Sequence, residues 1–157
     1  EDYSLCKKIK RAMFEQFKKL YDEQGVRRYY VGGALGVDMW AGELILRLKE
    51  QPGYGDIELV VVLPFEGHDA KWDERSKRRM DFLLRMCSDC VVVGKEDCRE
   101  NYIKRNCYMV DHADYLVAVY DNERNLRSGT MQTVRYAQNK GITISFVNPD
   151  TATVTTN

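Results

Sequence analysis

The chain has 157 residues, the usual size of one domain, and its 24 basic and 24 acidic residues give zero net charge. This balance removes the overall field that favours nonspecific binding to nucleic acid or anionic lipid, so neither partner is expected. The apolar runs are far shorter than the roughly 20 residues that a membrane helix needs. Five cysteines in helix-like or strand-like segments indicate reduced thiols, so we expect a cytoplasmic protein. Cys87 and Cys90 have the spacing of a metal-ligating or redox pair, but no second such pair follows, so semi-buried thiols without a metal are expected.

The first part of the chain predicts a helix, a strand and a second helix. Apolar residues recur at helical spacing over about residues 3–24, and Gly25 ends the pattern. A short strand at Arg28–Val31 runs directly into a glycine cluster at Gly32–Gly36. Another helical stripe follows until Pro52-Gly53 ends it. The order is strand, tight turn and helix.

The same unit then repeats along the chain. The near-continuous aliphatic run Ile57–Leu63 is typical of a strand covered on both faces. The later segments alternate in the same way: a helix at 73–86, a strand at 90–93, a helix at 101–111, a strand at 115–120, a helix at 130–140 and a strand at 142–147. We therefore predict an α/β fold, a Rossmann-like three-layer sandwich with a mostly parallel sheet.

The two ends of the chain carry separate expectations. We expect one Rossmann-like domain over residues 1–149 and a flexible tail over residues 150–157, which carry four threonines and no core pattern. The sequence opens directly on a helix, whereas a doubly wound sheet commonly begins with a strand. We therefore expect an N-terminal strand and its loop to precede residue 1.

The glycine cluster is the main candidate for ligand binding. In an open parallel sheet, ligands lie beyond the carboxyl ends of the strands, and Gly32, Gly33 and Gly36 are predicted at such an end. Residues without a side chain let the backbone approach a ligand, and the N–H groups of the following helix attract phosphate. The spacing matches neither the dinucleotide motif nor the P-loop, so a purely structural turn is the alternative.

Two further segments are expected at the same sheet edge. Ser128, Gly129 and Thr130 stand at the head of a helix, where hydroxyl and amide groups converge. In the loop that follows Ile57–Leu63, Phe65 or Trp72 is placed to stack on a base or ribose, with core packing as the alternative. Together with the glycine cluster, these segments predict a cleft for a phosphate-bearing small molecule.

Three carboxylates are candidates for roles in this cleft. Asp38 lies in the first turn after the glycine cluster, where it meets a ribose hydroxyl or complements the helix dipole. Glu43 and Asp121 are further candidates for acid–base chemistry, and a solvated helix carboxylate is the alternative for Glu43.

These residues together resemble the SLOG superfamily, which includes the LOG phosphoribohydrolases and the DprA DNA-processing proteins, and within it the YpsA-like family. The resemblance implies a Rossmann-like fold, a nucleotide-like ligand held by the glycine loop and the Ser-Gly-Thr helix start and, by analogy, a homodimer. It also makes Arg105 a candidate for the pocket, with a solvated helix face as the alternative. LOG enzymes carry a glutamate soon after the Gly-Thr of the second motif, whereas this chain has Thr133. The matching segments span nearly the whole chain: Gly32–Glu43, Pro64-Phe65 with Lys71-Trp72, Lys104–Asp111, and Ala118–Asp121 with Ser128–Thr130.

The residues leave three functions open. The first is binding of a nucleotide or dinucleotide ligand as a sensor or regulatory module, because the two phosphate-binding turns come without an evident catalytic pair. The second is hydrolysis of a nucleotide N-glycosidic or phosphate bond, with Asp38, Glu43 or Asp121 as the acid or base. The third is a protein-interaction scaffold that keeps an inert Rossmann shell.

Overall fold

The computed structural model describes residues 3–121 and 129–157 and shows helices alternating with strands. In these residues the helices are α1 (Tyr3–Gln24), α2 (Val37–Glu50), α3 (Glu74–Met86), α4 (Arg99–Asp111) and α5 (Gly129–Lys140). The strands are β1 (Arg28–Val31), β2 (Glu58–Leu63), β3 (Asp89–Val92), β4 (Tyr115–Val119), β5 (Thr143–Val147) and β6 (Val154–Thr156). This order confirms the predicted Rossmann-like α/β fold.

The strands form two three-stranded sheets. β1, β2 and β3 are parallel neighbours, and Tyr29 of β1 lies opposite Leu59 of β2. β4 and β5 are also parallel, with Val117 opposite Ser145, whereas β6 joins β5 in the antiparallel direction. The pairing is therefore mostly parallel, as predicted, but in the part of the chain that the structure describes no ladder joins β1 to β4.

The short strand β6 is an element that the sequence analysis did not include. It lies within residues 150–157, where only a tail was expected. Val147 of β5 pairs with Val154, and the Asn157 side chain accepts a hydrogen bond of 2.8 Å from the N–H of Ile144. Threonine and valine suit an exposed edge strand because such a strand needs β propensity rather than a buried face. The threonine-rich composition is therefore compatible with pairing.

Helices hold the two sheets together. α1 packs against α2 and also contacts β4 and β5, and α4 packs against α5 and also contacts β2. Each of these two helices thus packs against a helix that covers one sheet and also contacts a strand of the other sheet. Gly25 follows α1 with a φ of 73°, and β1 begins three residues later. The hydroxyl of Tyr29 donates a buried hydrogen bond of 2.7 Å to the carbonyl of Phe17, which fixes β1 beneath α1.

The core is deepest around β2. All residues of β2 after Glu58 are buried, as its continuous aliphatic sequence predicted. The larger apolar cluster is built from α1, α2, α3, β1 and β2, and it includes Met13, Leu48 and Met80. A smaller cluster joins α5 to β4 and β5. Within residues 3–121 and 129–157, no helix combines the length and the apolar character that a membrane crossing needs.

Candidate functional site

A cavity of about 790 Å³ lies between β1 and β4. The two strands line it along its length, with residues such as Tyr30 and Val117. One end, here called the glycine-loop end, is lined by Ala34, Leu35, Asp38, Arg105, Gly129 and Thr130. The turn after β1 and the start of α5 therefore open onto the same space, as their positions at the carboxyl ends of parallel strands require.

Gly33 fixes the path of the glycine loop over β2. Its φ is +68°, and a β-carbon built on it would lie 2.7 Å from Cδ2 of Leu63, so both the backbone conformation and this contact disfavour a side chain. A ring nitrogen of His68 lies 2.8 Å from the carbonyl oxygen of Gly33 and holds the loop from outside. Gly32, Gly33 and Gly36 are not themselves among the residues that line the cavity, so the loop contributes to it through Ala34 and Leu35.

Gly36 is the residue before α2, and it has no side chain that could accept a hydrogen bond from the first N–H groups of the helix. No side chain caps the first N–H groups of this helix at Gly36. By contrast, the side chain of Asp73 accepts the N–H of Ser76 at 2.9 Å at the start of α3. The uncapped N–H groups of α2 carry a partial positive charge next to the cavity, which favours a negatively charged group there.

Arg105 is the buried cation of the site, and the structure contradicts a solvated face for it. Only 7% of the residue is exposed, and its guanidinium donates to the carbonyl of Gly32 and, at 2.8 Å, to the side-chain oxygen of Asn106. Its guanidinium carbon also lies 5.7 Å from the centre of the Tyr102 ring. Arg105 therefore ties α4 to the end of β1 while it lines the cavity.

Asp38 and Arg105 both lie close to Gly32. A β-carbon built on Gly32 would lie 2.8 Å from Oδ2 of Asp38 and 3.1 Å from a terminal nitrogen of Arg105. Burial raises the pKa of Asp38, while the charge of Arg105 and the N–H of Ala34 act in the opposite direction. Burial likewise lowers the pKa of Arg105, and the charge of Asp38 opposes that change. The charge of each group thus favours the charged form of the other.

Glu43 lies outside the cavity, and its partner is Arg79. The two side chains form a two-pronged contact, with distances of 3.0 Å from Nε to Oε2 and 2.5 Å from Nη2 to Oε1. This pair links α2 to α3 at a half-exposed position. Glu43 therefore has a structural role in this pair. The two residues are 36 positions apart in the sequence, so the sequence analysis did not indicate their pairing.

The two aromatic candidates pack against protein side chains. Phe65 meets the Tyr102 ring edge-on with centroids 6.0 Å apart, and Trp72 meets the His68 ring in the same way at 5.1 Å. Neither lines the cavity between β1 and β4, and Trp72 also packs against the main core. Both residues therefore support the loop that holds Gly33.

The structure describes two residues of the second predicted turn, Ser128–Thr130. Gly129 and Thr130 are exposed at the start of α5 and line the cavity, and Ser128 lies outside the described residues. Asp121 follows β4 as a half-buried residue and does not line the cavity. Thr133 does line it, and its hydroxyl donates to the carbonyl of Gly129 at 3.1 Å. Of the three carboxylate candidates, Asp38 alone lines the cavity.

The chain is thus an α/β protein with a Rossmann-like fold, in which the glycine loop and the start of α5 open onto the same cavity. The family model described as the YspA SLOG family matches residues 1–152, and the chain belongs to this family. The UPF0398 proteins of Bacillus cereus strain G9842 and Bacillus thuringiensis strain Al Hakam are each 28% identical to the chain over 118 residues. These alignments cover 74% of this chain and 62% of each relative, so the chain spans less than two thirds of these relatives.

Proposed function

We propose that the glycine-loop end of the cavity binds the phosphate of a nucleotide or nucleotide derivative, and that the protein acts as a sensor or regulatory module. The observation that carries this proposal is the convergence of two helix N-termini on one cavity, with Leu35 and Asp38 on one side and Gly129 and Thr130 on the other. Helix N-termini bind phosphate through free N–H groups and the helix dipole.

Charge at this end also supports a phosphate ligand. Arg105 keeps its positive charge at neutral pH because its ordinary pKa is far above 7. The first N–H groups of α2 have no side-chain acceptor at Gly36. An anion placed between α2 and α5 would meet these donors, and Asp38 would remain available for a sugar hydroxyl. The proposal includes a cytoplasmic location and a homodimer, and the five unbridged cysteines fit a reducing compartment.

Gly129 offers a matched test of phosphate binding. It is exposed, and a β-carbon built on it meets nothing within 4 Å, so aspartate and asparagine both fit. The negative charge of Gly129→Asp suits the helix dipole but repels a phosphate, whereas Gly129→Asn adds the same bulk without charge. We expect nucleotide affinity to be at least about tenfold weaker in Gly129→Asp than in Gly129→Asn, a difference of about 1.4 kcal/mol.

The measurement is the thermal stabilisation of the folded protein by ATP, AMP, NAD⁺ and ADP-ribose over a range of concentrations, from which the affinities are fitted. Equal affinities in the two variants would contradict a phosphate site at the start of α5. A full-length, folded protein that responds to no compound of this kind would contradict nucleotide binding itself. That result would favour the interaction scaffold, for which a specific protein partner should then be recovered.

Asp38 favours a second candidate, hydrolysis of a nucleotide N-glycosidic or phosphate bond. Its carboxyl group lines the cavity, and burial raises its pKa, which suits a general acid. We expect Asp38→Asn to abolish release of free base or orthophosphate and Glu43→Gln to preserve it. Because only protonated Asp38 can donate a proton, the rate should fall as the pH rises through this raised pKa. Chromatographic assay checks both points, and undiminished release by Asp38→Asn would remove Asp38 from the role.

A further inference from the structure

Tyr102 is an exposed aromatic residue at the same edge of the sheet as the glycine loop. It lies near the start of α4, and 37% of the residue is exposed. α4 follows β3, so its N-terminus lies at the carboxyl ends of the parallel strands, where the glycine loop also leaves β1. The side-chain amide of Asn101 donates to the carbonyl of Glu96 at 2.7 Å and fixes this start of α4. Tyr102 is therefore held on the side of the molecule where the proposed ligand site lies.

Arg105 connects Tyr102 to that site. The two residues are three positions apart on α4, so they lie on one face of the helix. The guanidinium carbon of Arg105 is 5.7 Å from the centre of the Tyr102 ring, and the same guanidinium donates to the carbonyl of Gly32. Arg105 lines the glycine-loop end of the cavity, whereas Tyr102 does not. The ring thus lies outside the cavity, next to the buried cation.

Phe65 fixes the orientation of the Tyr102 ring. It belongs to the loop that follows β2, and it meets the ring with centroids 6.0 Å apart and an angle of 82° between the planes. Such edge-to-face contacts hold aromatic rings in a defined geometry. A tyrosine side chain has few rotatable bonds, and Phe65 and Arg105 already position this one, so little conformational entropy is lost when a ligand packs on it. The exposed ring is therefore preorganised for contact with a planar group.

The shape of a nucleotide fits this arrangement. In the proposed site the phosphate lies between the starts of α2 and α5, and the ribose separates it from the base. A base directed from this phosphate past Arg105 would reach the Tyr102 ring. Every base has a π-face that stacks on an aromatic side chain, and a neighbouring arginine adds a cation–π contact. The ring, the cation and the phosphate site thus follow one another in the order of the parts of a nucleotide.

We propose that the base of the bound nucleotide stacks on Tyr102, with Phe65 as the support of this ring. The assignment rests on the proposed function, because it needs a phosphate at the glycine-loop end. It also narrows the class of ligand: the site selects nucleotides that carry a base over sugar phosphates that lack one. Phe65, which packs against the ring, acts on the ligand only through Tyr102.

The test compares AMP with ribose 5-phosphate, which has the same phosphate and sugar but no base. In the full-length, folded protein, AMP should bind at least about tenfold more tightly than ribose 5-phosphate. Tyr102→Leu keeps an apolar side chain without a ring, so it should weaken AMP binding at least about tenfold and change ribose 5-phosphate binding by less than about twofold. Tyr102→Phe keeps the ring and should bind AMP as the unsubstituted protein does. Titration calorimetry measures these affinities.

Phe82 provides a matched control. It is an aromatic residue of α3 that is 44% exposed and does not line the cavity. Phe82→Leu makes the same kind of change as Tyr102→Leu at a place remote from the proposed ligand, so AMP binding should stay unchanged. Thermal unfolding without ligand shows whether each variant is folded.

Tyr102→Trp reports on stacking directly. A base stacked on the introduced indole quenches its fluorescence, whereas a sugar phosphate leaves this contact unmade. AMP should therefore quench the emission of Tyr102→Trp, and ribose 5-phosphate should not. The unsubstituted protein, with Trp40 and Trp72, gives the background response that is subtracted.

The possible contrary results have different meanings. Equal AMP affinity in Tyr102→Leu and the unsubstituted protein, or no quenching of Tyr102→Trp by AMP, would overturn the stacking role and leave the phosphate site standing. An equal loss of AMP and ribose 5-phosphate binding in Tyr102→Leu would also overturn it, because Tyr102 would then act through Arg105 and the glycine loop. Binding of neither compound to the unsubstituted protein would contradict the proposed function and the stacking role together.

Discussion

Replacement of Arg105 by methionine is expected to lower the free energy of unfolding by about 3 kcal/mol at pH 7. The side chain is buried, and its loss leaves the carbonyl of Gly32 without its charged donor and the carboxyl group of Asp38 without its cation. Removing one member of a buried charged network costs far more than the network contributes, because the remaining charge stays desolvated. Urea denaturation measures the change through the midpoint and slope of unfolding.

The loss in Arg105→Met should also depend on pH. Without the guanidinium, which lowers it, the pKa of Asp38 rises further above its ordinary value. At pH values between the pKa of Asp38 in the unfolded chain, about 4, and its raised pKa in the native protein, the native state binds more protons than the unfolded chain. The free energy of unfolding therefore falls as the pH rises through this interval, so the loss should be larger at pH 7 than at pH 4.

Arg105→Lys is the matched control, because it keeps the charge but not the planar fork of donors. It should lose less stability than Arg105→Met and should show a weaker dependence on pH. A loss below about 1 kcal/mol in Arg105→Met, a value typical of exposed pairs, would contradict the role assigned to this side chain.

Gly33→Ala is expected to destabilise the protein by about 3 kcal/mol, through two causes that add. A φ of +68° costs an alanine roughly 1–2 kcal/mol. The new methyl group would also lie 2.7 Å from Cδ2 of Leu63, so this buried side chain or the loop must shift. Thermal or urea unfolding measures the sum of the two costs.

A double-mutant cycle separates these causes. Leu63→Ala makes room for the methyl group, so Gly33→Ala should cost about 1 kcal/mol less in that background, and the cost of the positive φ should remain. Gly55→Ala provides the control, because a β-carbon there meets nothing within 4 Å and no positive φ is required. Its effect should stay within about 0.5 kcal/mol. A Gly33→Ala variant as stable as Gly55→Ala would contradict the structure of the loop.

The charged pair over Gly32 also bears on function. Burial shifts the pKa of Asp38 upwards and that of Arg105 downwards, so both charges are held at a cost. Apolar residues of similar volume often stabilise a fold at least as well as a buried charged pair. Stability therefore gives little reason for burying two charges here, and the proposed anionic ligand at the glycine-loop end would supply one for Arg105.

The site could be predicted in part. The glycine cluster at Gly32–Gly36 and the start of α5 were recognisable, because glycines after a strand and before a helical stripe have a clear local signal. The resemblance named Arg105 as a pocket candidate, but its burial and its bond to Gly32 depend on the packing of α4 against the end of β1. The contact of Phe65 with Tyr102 joins a loop to α4, and the contact of Trp72 with His68 lies within that loop, where no helical or strand periodicity predicts it.

The sequence by itself determined the alternation of helices and strands, the position of the glycine loop and the membership of β2 in the core. These features follow from periodicity and local backbone preference, which act over a few residues. Only the tertiary structure decided that Glu43 pairs with Arg79, that Asp38 and Arg105 both lie close to Gly32, and that β1 and β4 line one cavity. Such contacts depend on which segments fold against one another, so they are set by the packing of the whole chain.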